Sequence, residues 1–148
     1  MSLPILTDGL VLPVSNVLIQ ILNDELTRHA SGLKPLHEAS AITFNFRDPD
    51  YSAKRGGYHP VEIRLSRSGD GFRFDYLTDF SYVGAGWDIE LAKEIDFDIH
   101  ADCCEVRFCR PVPLRAAVDF FTTFQDNFVA YYQLGVFTVE VSVEKADE

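Results

Sequence analysis

Alternation of apolar and polar residues constrains the fold of this chain more than any other feature of its sequence. A β-strand turns successive side chains to opposite faces, so alternation indicates strands with one buried and one polar face. Such strands are typical of antiparallel sheets, because strands of parallel sheets are buried on both faces. The predicted inward positions are Ile42, Phe44 and Phe46; Val61, Ile63 and Leu65; Phe72, Phe74 and Tyr76; Ile95, Phe97 and Ile99; and Phe137, Val139, Val141 and Val143.

Two connections between these strands can be predicted from their residues. The Ser-Gly-Asp-Gly sequence at 68–71 predicts a tight hairpin between the second and third strands. On the third strand the alternation places Leu77 outward, together with Arg73 and Asp75. Residues 48–57, which contain a proline and two glycines, form the longest predicted break.

Helical spacing occurs twice, near the beginning and near the end of the chain. Apolar residues three and four apart predict a helix over residues 16–30, with Ser15 as its N-cap and Gly32 as its left-handed end. An aromatic stripe predicts a second helix over residues 114–134, closed by Gly135. We interpret this stripe as core rather than as a cofactor pocket.

The order of these elements predicts an α+β fold. It consists of a twisted antiparallel sheet of about five to seven strands, with the N-terminal and C-terminal helices packed on one face. The 148 residues suit a single domain spanning 1–148.

The charge of the chain is acidic and uneven, which bears on its partners. The formal net charge is −10, and residues 74–106 hold nine acidic residues and one basic residue. Duplex nucleic acid requires clustered cations, so direct binding of nucleic acid is not expected. The chain contains no apolar run long enough to predict a membrane span. We expect instead a protein partner of basic character, attracted by the acidic segment.

The cysteines and the first residues favour a cytoplasmic location. The chain has an odd number of cysteines, and they lie close together in the sequence, at Cys103, Cys104 and Cys109. The disulfide framework of a secreted protein would use an even number of dispersed cysteines. We interpret them as buried or partly buried thiols rather than as zinc ligands. No basic residue precedes Arg28, so the positive end of a signal peptide is lacking.

The most chemically suggestive stretch lies around residue 97. Alternation places Asp96, Asp98, His100 and Asp102 on one strand face, where carboxylates and an imidazole could bind a divalent ion. A metal-dependent or acid–base enzyme using these residues, with Asp79 as a further candidate, is therefore one hypothesis. A solvated acidic face that discourages edge pairing is the alternative. The residues predict no catalytic set and no cofactor.

Two other segments are candidates for an interaction surface. Arg55, Tyr58 and His59 lie in a segment of cations, glycines and aromatics that RNA-binding loops also use, although a turn leading into a strand is the preferred interpretation. Trp87 follows Gly86 and is either an exposed anchor or a core residue.

The strings NFRDP, YSA and GGYHPVEIRL at 45–65, YLTDF at 76–80, ELAKE and DFD at 90–98, and NFV with GVF at 127–137 carry a family resemblance. Together they resemble the bacterial domain-of-unknown-function family 2787 over residues 43–142. That family is similar in fold to the mitochondrial acidic matrix protein family, the receptor for complement globular heads. The resemblance implies a strongly twisted antiparallel sheet, ring-shaped trimers and multi-partner binding without catalysis.

These observations support three functional hypotheses. The leading one is a small acidic, non-enzymatic binding or adaptor protein that self-associates and engages protein partners. The second is the enzyme built on Asp96, Asp98 and His100. The third is an acidic mimic of nucleic acid that occupies a basic DNA-binding surface.

Overall fold

A computed structural model describes residues 3–146, and within this range the chain forms a seven-stranded antiparallel sheet with two α-helices. The strands are β1 Ala39–Arg47, β2 Val61–Ser68, β3 Gly71–Val83, β4 Glu90–Asp98, β5 Cys103–Val106, β6 Val112–Pro113 and β7 Thr138–Lys145. The helices are α1 Asn16–His29 and α2 Val118–Gln133. The predicted α+β fold class is confirmed.

Strands β1 to β6 form a meander, and β7 returns to the free edge of β1. The order across the sheet is therefore β6-β5-β4-β3-β2-β1-β7. The predicted hairpin joins β2 to β3, with Ser68 paired to Gly71 and with Gly69 at a φ of +61°. Only glycine, asparagine and aspartate readily take such angles in a two-residue turn.

The helix ends agree with the sequence in two of three places. The Ser15 hydroxyl accepts a hydrogen bond of 3.1 Å from the Leu18 amide, as an N-cap should. Gly135 has a φ of +78° and follows the end of α2, as predicted. The prediction for Gly32 is wrong: α1 ends at His29, and the chain leaves through a 3-10 turn over Ala30–Gly32.

The core lies between the two helices and the inner face of the sheet. Phe44 and Phe46 of β1, Phe97 of β4 and Phe121 of α2 are fully buried. Edge-to-face contacts join the layers, with ring centroids 4.9 Å apart for Phe46 and Phe128 and 5.1 Å apart for Phe97 and Phe121. The core interpretation of the aromatic stripe therefore holds for Phe121 and Phe128.

The predicted inward face of β3 is confirmed for Phe72 and Phe74 but fails from Tyr76 onward, where a β-bulge changes the alternation. Leu65 pairs with Phe74 and Arg64 pairs with Tyr76, so Asp75 is an extra residue on β3. A bulge places two residues opposite one and reverses the faces that follow. Leu77 is consequently fully buried, whereas Tyr76 is half-buried and donates a hydrogen bond to Glu62 outside the core.

Candidate functional site

An open cleft lies between α2 and the sheet, beside the end of β3. Its volume is about 400 Å³. Phe120, Phe124 and Tyr131 of α2 form part of one wall, and Tyr58 packs on Tyr131 with ring centroids 4.6 Å apart. Some residues of the aromatic stripe of α2 therefore pack in the core, and others line this cleft. A mostly apolar cleft with a few polar groups is the common form of a ligand site.

Three titratable side chains converge at the polar part of this cleft. His59 Nδ1 lies 2.9 Å from Glu94 Oε2 and 3.4 Å from Asp79 Oδ2. The ligand-type atoms of the three residues all lie within 4.8 Å of one another, and no other group of three His, Cys, Asp or Glu side chains does so within residues 3–146. We call His59, Asp79 and Glu94 the acidic triad.

Each member of the acidic triad is positioned by a different local feature. Asp79 is on β3 opposite Val61, a core position, and therefore points toward the helices. Glu94 is the extra residue of a second bulge, because Ile95 pairs with Asp79 and Lys93 pairs with Phe80. Bulges re-aim side chains and are frequent next to functional sites. His59 directly precedes Pro60 at the entry to β2.

Burial and charge shift the pKa values of two members of the acidic triad. Asp79 has a side chain that is only 10% exposed, and this burial raises the pKa of its carboxyl above the ordinary value. Its Oδ1 accepts a hydrogen bond of 2.9 Å from the Ile95 amide, which fixes the carboxyl group. The hydrogen bond to Asp79 raises the pKa of His59.

The residues predicted from the alternation around Phe97 lie elsewhere. Phe97 faces the core and Asp96 and Asp98 face away, as predicted. However, β4 ends at Asp98, so His100 and Asp102 lie in the following turn rather than on the strand, and Asp102 has a φ of +51°. Among the residues described, Asp96, Asp98 and His100 do not form a three-ligand cluster.

Each of these three residues has a contact of its own instead. The Thr78 hydroxyl donates a hydrogen bond of 2.6 Å to Asp96, and the Ala101 amide donates one of 3.1 Å to Asp98. The His100 ring reaches back to β3, where its Nε2 lies 2.7 Å from Asp75 Oδ1. The carboxylates of this strand thus support the sheet and the turn.

Asp75, the extra residue of the β3 bulge, is the centre of a closed polar network. Its side chain is 3% exposed. Arg64 donates to it at 2.5 Å and the Ser66 hydroxyl at 2.6 Å, while Arg64 also contacts Glu144 of β7. This carboxylate is buried, and its charge is matched by a guanidinium.

The predicted loop residues divide between the cleft and the surface. Tyr58 and His59 line the cleft, whereas Arg55 is exposed and its amide donates to Ser52 in a turn. The turn interpretation of this segment is supported by the bridge between Ser52 and Gly56. Among the loop residues, His59 therefore contributes to a titratable cluster and Arg55 does not.

Trp87 occupies the tip of the hairpin between β3 and β4, where its side chain is 94% exposed. Three further apolar side chains near this tip are exposed: Tyr82, Ile89 and Leu91. Tyr82 and Leu91 are register partners, and Tyr51 stacks on Tyr82 with centroids 5.0 Å apart. We call Tyr82, Trp87, Ile89 and Leu91 the hairpin patch.

The tip that carries Trp87 is tightly built. Gly84 has a φ of +92°, and a Cβ at this position would lie 2.5 Å from the Asp88 carbonyl oxygen. Only glycine fits such a close approach of the backbone. Trp87 is therefore presented on a compact turn.

The thiols differ in exposure more than the sequence predicted. Cys104 is buried, and burial raises the pKa of its thiol to about 11. Cys103 is half-buried, but Cys109 is exposed, contrary to the prediction for that residue.

Within residues 3–146, none of the helices has the length and apolar character needed to cross a membrane.

Glu94 is the member of the acidic triad that sequence reasoning missed. Asp79 was a candidate for an enzymatic role and His59 for an interaction surface, but alternation on β4 predicts Glu94 to face away from the helices. The bulge that redirects it has no clear local signal, because its residues are ordinary strand residues.

Comparison with known proteins gives one family and two structural relatives. The sequence profile of a family described as protein of unknown function, DUF2787, matches residues 16–142, which include α1 and the cysteines. No curated protein matches.

Two solved structures from Vibrio cholerae are similar over 88% of this chain and 95% of their own chains. The hypothetical protein VC0508 of pathogenicity island VSP-II is 31% identical, with a TM-score of 0.75. The conserved hypothetical protein VC1805 of island VPI-2 is 32% identical, with a TM-score of 0.74, and shares structural homology with the human P32 protein, the mitochondrial acidic matrix protein. From the family match and these relatives, we conclude that the chain belongs to the DUF2787 family.

Proposed function

We propose that this protein is an acidic, non-enzymatic binding protein of the cytoplasm that self-associates and docks a basic protein segment on the hairpin patch. The observation that carries the proposal is the exposure of Trp87, 94%, at the tip of an acidic hairpin. Exposed tryptophan is uncommon on soluble proteins and frequent at the centre of interfaces.

The surroundings of Trp87 define the chemistry of the partner. Asp88 and Glu90 alternate with Trp87, Ile89 and Leu91 at the tip and the start of β4. Acidic groups beside an apolar patch complement a segment that carries both cationic and apolar side chains. The charges would accelerate the encounter, and burial of the apolar side chains would stabilise the complex.

The resemblance to the mitochondrial acidic matrix protein family supports the self-association part of this proposal, because it implies ring-shaped trimers. Static light scattering over a wide range of protein concentrations tests this part. We expect a mass that rises to a small multiple of 16.7 kDa. A monomer at every concentration would contradict self-association and leave the docking proposal intact.

The docking proposal can be tested with the fluorescence of Trp87, the only tryptophan of the chain. We expect a synthetic peptide of alternating lysine and leucine to shift the emission to shorter wavelengths, since it would remove the indole from water. A peptide of the same length with glutamate in place of lysine should cause no shift. Raising the salt concentration from 50 to 500 mM should weaken binding of the basic peptide at least tenfold, because exposed charges are screened.

Two serine variants distinguish peptide binding at the hairpin patch from nonspecific binding to any exposed apolar side chain. Ile89→Ser should weaken peptide binding several-fold. Leu134→Ser removes a side chain that is 70% exposed at the end of α2, and it should leave binding unchanged. Equal shifts with both peptides, or equal effects of both variants, would contradict docking on the hairpin patch.

A further inference from the structure

We propose that the acidic triad binds one divalent transition-metal ion, with open coordination positions that face the cleft. Ligand atoms about 2.1 Å from an ion at tetrahedral or octahedral angles lie roughly 3.0–3.4 Å apart. The separations of 2.9 Å and 3.4 Å from His59 Nδ1 to the two carboxylates are close to this range. The two pairs that include His59 Nδ1 therefore already have separations suited to one ion, and the ligand atoms of all three residues lie within 4.8 Å of one another.

The donor atoms are held in place by the fold. Because Asp79 Oδ1 accepts from the Ile95 amide, Oδ2 is directed at His59. The position of Glu94 on its bulge is fixed by a hydrogen bond of 2.8 Å, which its backbone carbonyl oxygen accepts from the Arg107 amide. The ring of His59 packs against Tyr51, with centroids 5.6 Å apart. Ligands supported by such outer contacts are typical of metal sites.

Within residues 3–146, the ion pairs of Asp79 and Glu94 are formed with the imidazole of His59 and not with a lysine or arginine. Two carboxylates share one imidazole, and the nearby guanidinium of Arg107 is engaged elsewhere. It donates to the Ser81 hydroxyl and to the carbonyl oxygens of Ser81, Ala92 and Lys93. A divalent ion would balance the charge of the two carboxylates, as the partly exposed guanidinium of Arg64 balances the charge of Asp75.

The donor set selects the class of ion. One imidazole nitrogen and two carboxylate oxygens suit Zn²⁺, Co²⁺ or Mn²⁺, whereas Ca²⁺ and Mg²⁺ prefer sites made of oxygen alone. Three protein ligands also leave positions open for water or for a further ligand.

The cleft defines the ligand that would occupy these open positions. Phe120, Phe124 and Tyr131 offer an apolar wall beside the acidic triad. A small carboxylate with an aromatic or aliphatic body would coordinate the ion with its oxygens and pack its body on this wall.

The experiment uses the full chain, freed of metal with a chelator and titrated with Co²⁺. We expect saturation at one ion per chain, measured by the visible absorption of the bound Co²⁺ and by calorimetry with Zn²⁺. His59→Asn, Asp79→Asn and Glu94→Gln should each weaken binding more than tenfold. His100→Asn and Asp98→Asn are matched controls from the surface predicted by the sequence, and they should bind as the unchanged protein does. Thermal unfolding in chelator confirms that each variant is folded.

The second arm tests the ligand. Benzoate should change the absorption of bound Co²⁺, benzylamine should not, and Phe124→Ala should weaken benzoate binding while Co²⁺ affinity is retained. Failure of this arm alone would overturn the ligand class. Absence of ion binding, or equal losses in the control variants, would overturn the metal site.

Discussion

The sheet has two bulges that carry an acidic residue. They arise from the same kind of register shift, but the charges around the two carboxylates differ. Asp75 on β3 and Glu94 on β4 are both extra residues in an antiparallel pair. Asp75 is enclosed by Arg64, Ser66 and His100, on the network that also reaches β7. Glu94 joins Asp79 beside a single imidazole and an open cleft.

The difference shows that a bulge by itself decides only where a carboxylate points. The neighbouring strand decides its role. At Asp75, the register of β2 supplies an arginine and a serine as partners, which makes the carboxylate a stabilising element. At Glu94, the neighbouring positions supply a second carboxylate and a histidine, which leaves a surplus of negative charge available to a ligand.

The largest effect should come from breaking the closed network. Asp75→Asn removes the charge that pairs with Arg64 and weakens the hydrogen bonds that the buried carboxylate accepts from Arg64 and Ser66, and we expect it to lower the free energy of unfolding by about 2–3 kcal/mol. Denaturant unfolding followed by circular dichroism measures this loss. Asp70→Asn in the exposed β2–β3 turn is the control and should change stability by less than about 0.5 kcal/mol. Equal effects of the two variants would show that the Asp75 network is not stabilising.

A third buried carboxylate, Glu25 of α1, has hydrogen-bond partners at only one of its two oxygens. Its Oε2 accepts from Arg28 and from the Tyr132 hydroxyl, while Oε1 has no hydrogen-bond partner among the residues described. Burial and Glu25 together raise the pKa of Tyr132 to about 12, so this hydroxyl remains a donor at neutral pH.

Removing that donor should have the second-largest effect. Tyr132→Phe leaves the buried carboxylate with one partner fewer, and we expect a loss of about 1–2 kcal/mol in the free energy of unfolding. Tyr131→Phe is a control at the adjacent position, where the ring lines the cleft. If both variants unfold at the same denaturant concentration, the Tyr132 hydrogen bond does not stabilise the fold.

The smallest effect, and one of opposite sign, is expected at the acidic triad. In chelator at pH 7, Asp79→Asn should leave the free energy of unfolding unchanged or raise it by up to about 1 kcal/mol. The reason is that the charge of Asp79 is buried without a matching guanidinium, while asparagine can still accept the hydrogen bond of the Ile95 amide.

The pH dependence of this variant follows from the raised pKa of Asp79. A raised pKa means that the folded state holds the proton more tightly than the unfolded state. The resulting stabilisation is complete below the ordinary value of 3.8 and is lost as pH rises through the folded value. The advantage of Asp79→Asn should therefore grow between pH 3.5 and 7. A destabilised variant at pH 7 would place Asp79 with Asp75 as a structural group.

Much of the fold could be predicted from the sequence because its signals are local. The alternation in β1, β2 and β7 and the spacing in α1 and α2 follow directly from the geometry of strands and helices. The outward position of Asp96 and Asp98 also follows from alternation. The candidate site could be predicted only in part: His59 and Asp79 were separate candidates, and Glu94 was absent.

What the sequence by itself determined is the α+β class, the two helices, the acidic segment at 74–106 and the buried aromatic rows, since each depends on residues close together in the chain. Tertiary structure decided which carboxylates meet. A bulge arises from the register between two strands, and one extra residue reverses every face beyond it. The burial of Leu77, the network around Asp75 and the convergence of Glu94 with His59 and Asp79 all depend on that register. They therefore exist only once the sheet is assembled.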